Sequence, residues 1–219
     1  MAKCIIMSAG DFIPEELHKE AGDIVIAADD GLSHLSRIGV VPDYIIGDYD
    51  SLEIGEGAVL SAFRAAHPER ERHLPKEKDD TDTMAAARWG LELGFTDFLF
   101  YGALGGSRMD HTIANLQTLL FLAGNGARGI IVDAGQELFL IRNEVRTFPL
   151  GSTGGFSLFA ADPVVRVTIR GMKYECEDLS LTYDFPIGCS NEFIPEKEAE
   201  VCVAGGTALA VVQRQKRTT

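Results

Sequence analysis

Gly47-Asp48-Tyr49-Asp50-Ser51 closes an apolar run, Tyr44-Ile45-Ile46, and sets two carboxylates two residues apart. At the exit of a short strand that spacing suits Mg²⁺, which prefers oxygen ligands and shares one or two carboxylates with substrate phosphates. Turns also use Asp and Gly for purely conformational reasons, so the pair needs company before it implies chemistry. Three further polar clusters supply it: Asp29-Asp30-Gly31, Lys78-Asp79-Asp80-Thr81-Asp82 and Arg108-Met109-Asp110-His111. Each lies next to an apolar segment. The acids from Asp79 to Asp82 could cap a helix, but a cap needs one side chain, not three acids and a lysine.

Gly102-Ala103-Leu104-Gly105-Gly106-Ser107-Arg108 is a glycine-rich connection between a strand and a helix. Glycines let backbone N–H groups approach an anion, and a helix N-terminus favours negative charge. Arg108 adds a planar fork that matches phosphate oxygens. No Gly-Lys-Ser/Thr follows, which excludes a Walker A loop, and Gly102-x-x-Gly105-Gly106 does not satisfy the dinucleotide pattern G-x-G-x-x-G. His111 can be a ligand, a phosphate contact or a residue of the helix's first turn.

The elements that must position these clusters alternate through the first two-thirds of the chain. Cys4–Ser8, Asp23–Ala28, Tyr44–Ile46, Phe98–Tyr101 and Gly129–Val132 read as buried strands. Helices are predicted to open at Pro14-Glu15-Glu16 and to cover Gly31–Ile38, Glu56–Ala66, Thr81–Leu93 and Thr112–Ala123. Continuously apolar strands alternating with helices predict a Rossmann-like, mostly parallel sheet with helices on both faces. Ligands of such sheets bind outside the carboxyl ends of the strands, so all four clusters can gather on one rim. Near residue 135 the rhythm changes to short β-like runs: Glu137–Arg142, Gly155–Phe159, Val164–Arg170, Met172–Glu177, Leu179–Tyr183, Ala199–Val203 and Ala208–Gln213. They predict an all-β sandwich or barrel, giving an α/β domain over 1–135 and a β domain over 136–219. No internal repeat is present.

With 219 residues the chain is long enough for a core that needs no staples. Its 33 acidic against 20 basic residues leave a net charge of −13, which disfavours nucleic acid and anionic membranes as partners. Cys4, Cys176, Cys189 and Cys202 form no C-x-x-C pair and read as free thiols. The start of the chain has too short an apolar run for a signal peptide, and no run reaches the ~20 apolar residues of a membrane span. A cytoplasmic protein is the simplest expectation.

Taken together and in order, these clusters resemble the thiamine pyrophosphokinase family. Its pattern of Asp-Gly-Gly, Gly-Asp-Phe-Asp-Ser, Lys-Asp-x-Thr-Asp and Gly-Gly-Arg-x-Asp-His is similar to Asp29-Asp30-Gly31, Gly47–Ser51, Lys78–Asp82 and Gly105–His111, with Asn115 continuing the last. Gly171-Met172-Lys173-Tyr174 and Ser190-Asn191-Glu192-Phe193 resemble the signatures of its second domain. Asp30 stands where the family often has Gly, Tyr49 replaces Phe, and Ser107 interrupts Gly-Gly-Arg.

The resemblance implies transfer of pyrophosphate from ATP to the hydroxyl of thiamine, giving thiamine diphosphate and AMP. It implies Mg²⁺ on Asp48, Asp50 and Asp79, with Asp29 nearby, and Asp82 orienting or deprotonating the hydroxyl. Ser51, Lys78, Thr81, Arg108, Asp110, His111 and Asn115 fall on the ATP side, and Ser190 and Asn191 on the thiamine side. The thiamine cleft would lie between two subunits, hence a homodimer. A pyrophosphokinase for another alcohol, such as a hydroxymethyl pterin, and a non-catalytic nucleotide or thiamine sensor are the competing readings. An aspartyl-phosphate phosphatase also begins with Asp-x-Asp, but places that pair after the first strand.

Overall fold

In the computed structural model the described residues are 1–49 and 56–214; Asp50 and Ser51 lie outside them. Two compact units divide the chain, Met1–Ala134 and Gly135–Thr219. The whole is an α/β fold with both parallel and antiparallel strand pairing.

The first unit carries strands β1 (Cys4–Met7), β2 (Ile24–Ala28), β3 (Tyr44–Gly47), β4 (Glu71–His73), β5 (Asp97–Tyr101) and β6 (Arg128–Asp133). They lie in the order β6-β5-β1-β2-β3-β4, and every pairing among them is parallel. Helices α1 (Gly31–Arg37), α2 (Glu56–Ala66), α3 (Asp82–Glu92) and α4 (Met109–Gly124) fill the crossovers that follow β2, β3, β4 and β5. Alternate strand residues face opposite ways. Ile5 and Met7 of β1 pack with Leu32 and Leu35 of α1 and with Leu60 and Phe63 of α2. On the other face α3 lies so close that a Cβ on its Gly90 would come 2.8 Å from Cys4 Sγ and 2.5 Å from the Phe98 ring. Burial on both faces explains the continuously apolar strands.

Two expectations for this unit need correction. Pro14–Glu16 forms only one 3₁₀ turn, entered and left through extended residues and lacking a side-chain cap. No apolar face follows it that packing could use to lengthen it into a helix. Conversely, β4 is a strand that the pattern did not reveal. Glu-Arg-His carries no hydrophobic signal, and its pairing with β3 is visible only in the sheet.

In the second unit β7 (Gln136–Phe148), β8 (Gly155–Ala160), β9 (Val164–Arg170), β10 (Cys176–Thr182), β11 (Asn191–Glu192) and β12 (Ala199–Gln213) pair antiparallel. The long β12 runs beside β7 throughout; its first half also pairs with β9 and its second half with β8. The two runs expected at Ala199–Val203 and Ala208–Gln213 are thus one strand, irregular between Val203 and Thr207. Asn143 Oδ1 accepts from Gly206 N–H at 2.9 Å and Asp162 Oδ2 from Thr207 N–H at 2.7 Å, pinning the irregular stretch. Met172 makes an isolated bridge to Phe193 rather than opening a strand. Among the described residues no helix is long and apolar enough to cross a membrane.

Candidate active site

After β1 the chain builds outward through β2, β3 and β4, then returns to add β5 on the other side of β1. The crevice between the carboxyl ends of β1 and β5 is therefore the topological switch point. Here two loops run backbone to backbone. Ser8 N–H donates to Tyr101 O at 2.8 Å, Gly10 N–H to Gly102 O at 2.7 Å, and Asp11 N–H to Leu104 O at 2.9 Å. A Cβ on Gly10 would lie 2.3 Å from Leu104 O, so only glycine permits this approach.

The loops form one side of a cavity of about 500 Å³. Gly102 to Arg108 and the first turns of α4, through His111, Thr112 and Asn115, line it. Among the described residues the backbone N–H groups of Gly105, Gly106 and Ser107 find no acceptor, which leaves them for an anion. Asn115 is buried and its amide Nδ2 donates to Ala103 O at 2.7 Å, holding the glycine-rich loop against α4. Arg108 and Asp110 form a forked pair on the exposed rim, with Nη2 2.6 Å from Oδ2. That hydrogen bond draws the Asp110 carboxyl down to about 2.

The opposite side is acidic. Asp29, Asp30, Asp48 and Asp82 all line the cavity, at the ends of β2 and β3 and the start of α3. Burial first, then the charges of Asp82 and Asp48, push the Asp29 carboxyl up to about 6, against backbone N–H groups of Tyr49 and Asp30 that favour its charged form. Lys78 lies between Asp82 Oδ1 at 2.9 Å and Asp48 Oδ2 at 3.4 Å. Thr81 caps α3, its Oγ1 accepting from Met84 N–H at 3.2 Å, so the cap does not account for the neighbouring acids. Asp80 turns away to Arg88.

The fold therefore brings Asp29, Asp48, Thr81, Asp82, Arg108, His111 and Asn115 to one cavity, with Lys78 tied to two of its acids. Asp79 is exposed and does not line it. Asp50 and Ser51 lie outside the described residues. Ser190 and Asn191 belong to the second unit, where Asn191 is buried and clips the Tyr174 backbone. Its Oδ1 accepts from Tyr174 N–H at 2.9 Å and its Nδ2 donates to Tyr174 O at 2.8 Å. The exposed Ser190 has a positive φ of 65°, and its N–H donates to Ser157 Oγ at 3.0 Å. Sequence reasoning missed Ser8, Gly10, Lys76 and Thr83, which also line the cavity. Ser8-Ala9-Gly10 after the first strand was the available signal, but its partner loop is distant in sequence.

Residues 16–131 match the family profile described as thiamin pyrophosphokinase, catalytic domain, and residues 149–207 match its vitamin B1 binding domain. The chain belongs to the thiamin pyrophosphokinase family. Thiamine pyrophosphokinase of Bacillus subtilis (strain 168) is 28% identical over 180 residues, 77% of this chain and 78% of that protein. Thiamin pyrophosphokinase 1 of Caenorhabditis elegans is 28% identical over 168 residues, 69% of this chain and 62% of that protein. The crystal structure of the Bacillus subtilis thiamine pyrophosphokinase superposes with a TM-score of 0.85 at 21% identity, covering 98% of this chain and all (100%) of that one. The catalytic-domain match spans every cavity residue from Asp29 to Asn115, and the second match spans Ser190 and Asn191.

Proposed function

We propose that this chain is a thiamine diphosphokinase, transferring the pyrophosphoryl group of ATP to the hydroxyl of thiamine. The observation that carries the reading is the cavity itself: a glycine-rich anion floor opposite clustered carboxylates, within the family's catalytic segment. The thiamine hydroxyl oxygen attacks the β-phosphorus of ATP. A new P–O bond forms, the bond from the β-phosphorus to the bridging oxygen breaks, and AMP leaves with that oxygen. Positioning and charge stabilisation dominate such transfers. Free N–H groups at Gly105, Gly106 and Ser107, with Arg108, hold phosphate oxygens. His111 and Asn115 bound the same side; on the resemblance Ser51 and Thr81 also face ATP. Asp82 orients the attacking hydroxyl and accepts its proton, while Lys78 keeps Asp82 and Asp48 in place.

The donor set fits Mg²⁺: every candidate ligand is a carboxylate oxygen, and the crowding that raises Asp29 is negative charge a hard cation would relieve. Among the described residues no three His, Cys, Asp or Glu side chains are close enough to hold a metal alone. Asp48, with Asp29 directly or through water, would share it with substrate oxygens; the resemblance would add Asp50, while Asp79, exposed and off the cavity, could join only through water. When bound, Mg²⁺ neutralises charge that develops on the phosphate oxygens.

We read the first unit as Rossmann-like and the second as a β-sandwich presenting Ser190 beside thiamine. On the family resemblance, the protein works as a homodimer. Asn191 shapes the thiamine side through the Tyr174 backbone. Four free thiols suit the reducing cytoplasm. The net charge of −13 leaves no basis for nucleic-acid binding.

One assay tests the reading: incubate with ATP and Mg²⁺, offer thiamine or a hydroxymethyl pterin, and resolve AMP from ADP. Thiamine-dependent AMP is expected. ADP would exclude pyrophosphoryl transfer, pterin-dependent AMP alone would reassign the acceptor, and nucleotide binding without turnover would make the chain a sensor.

A further inference from the structure

We propose that His34, outside the cavity, is a positioning residue that sets the phosphate-binding floor through the loop after β1. His34 sits on α1, and its Nε2–H donates to the carbonyl of Gly10 at 2.8 Å. Gly10 then passes the constraint on, since its own N–H bonds Gly102 O and its Cα lies too near Leu104 O for any side chain. Gly102 and Leu104 are cavity-lining residues of the glycine-rich loop, so one imidazole fixes where that loop begins. The imidazole is itself held. Phe12 packs against its ring with centroids 5.4 Å apart. The base of α1 is seated on β1 so closely that a Cβ on Gly31 would lie 2.0 Å from Met7 O. One residue further along the loop, Asn115 of α4 donates to Ala103 O. The floor is thus clamped from two helices, and His34 supplies the clamp that no cavity-lining residue provides.

The inference rests on the nucleotide occupying this cavity. Two kinds of measurement separate it from the broader reading: equilibrium binding of ATP without thiamine, and steady-state kinetics varying each substrate. His34→Ala removes the donor. It should weaken ATP binding and raise KM for ATP roughly three- to tenfold, the range of one net hydrogen bond, with KM for thiamine unchanged. His34→Gln, whose amide nitrogen can reach a similar point, should recover most of that loss. The proposal is overturned by unchanged ATP affinity in His34→Ala, by equal rises in both KM values, or by a Gln variant no better than Ala. Wild-type protein that binds ATP but releases no thiamine-dependent AMP would sink the pyrophosphokinase reading and leave the His34 comparison intact. Failure of His34→Ala to fold shifts the decision to His34→Gln against His34→Leu.

Discussion

Lys78 holds its ammonium 2.9 Å from Asp82 Oδ1, and the same group lies 3.4 Å from Asp48 Oδ2. One cation thus ties the exit of β3 to the first turn of α3. Burial opposes its charge, yet the pairs with Asp82 and Asp48 outweigh burial and raise its pKa above the ordinary lysine value. Removing it by Lys78→Met takes away the cation that these two carboxylates share. We expect kcat/KM to fall about a hundredfold, the scale of a misplaced catalytic group, together with a lower Tm. Lys78→Arg should recover only part, because a planar fork does not replace a point charge. Activity near the wild-type value in Lys78→Met would show that the bridge has no catalytic consequence.

Asp29 sets function against stability. Its folded-state pKa of about 6 lies above the ordinary carboxylate value of 3.8, so the unfolded chain releases this proton first. The group's contribution to stability therefore declines as pH rises through that window. Asn keeps the Oδ1 acceptor for Tyr49 N–H and tolerates the positive φ of 49°. In metal-free protein, Asp29→Asn should raise Tm by a few degrees at pH 7 and by little at pH 4, while lowering turnover. A Tm difference independent of pH would contradict this assignment.

Tyr49 stands where the family pattern has Phe, and among the described residues its buried hydroxyl has no hydrogen-bond partner. Its ring lies under the Arg64 guanidinium, 5.1 Å from the centroid, and stacks near His73. Tyr49→Phe keeps those contacts and removes an unsatisfied hydroxyl, whose cost is about 1–3 kcal/mol. Denaturant titration should show a higher midpoint with an unchanged slope, and activity within about twofold of wild type.

Gly102 has φ of +62°, and a Cβ there would lie 2.3 Å from Ser8 O. Both facts oppose any side chain, since the obstructing atom is backbone. Gly102→Ala should lower Tm and abolish measurable ATP binding by separating the two loops. Intact ATP affinity would show that the loop pairing is dispensable.

In the second unit, Asn191→Ala removes both part-buried hydrogen bonds to the Tyr174 backbone. A loss of about 2 kcal/mol is expected. KM for thiamine should rise, whereas ATP affinity measured without thiamine should be retained. Equal effects on the two substrates would argue against a role on the thiamine side.

Periodicity located most of the elements because packing on both faces leaves a strong mark on strands such as Ile5-Ile6-Met7 and on helices such as α3. It failed where packing contributes little. Pro14–Glu16 has turn-forming residues but no apolar face, and β4 has a partner strand but no hydrophobic pattern. In β12, Ala204-Gly205-Gly206 reads as a break, yet the strand continues because Asn143 and Asp162 satisfy its irregular backbone.

From residue types and order alone came the oxygen-only acidic clusters, the anion-binding character of Gly102–Arg108 and the resemblance of the whole series to one family. Those properties are local chemistry, and local chemistry survives in a one-dimensional chain. Tertiary structure decided which acids meet: Asp29, Asp48 and Asp82 face one cavity, Asp80 turns to Arg88, and Asp79 stays exposed. It also showed that Thr81 does the capping, and that His34 bonds the Gly10 carbonyl beside the glycine-rich loop. Such assignments depend on distances between segments far apart in sequence, set by the parallel sheet's strand order and by backbones that meet only where glycine lets them.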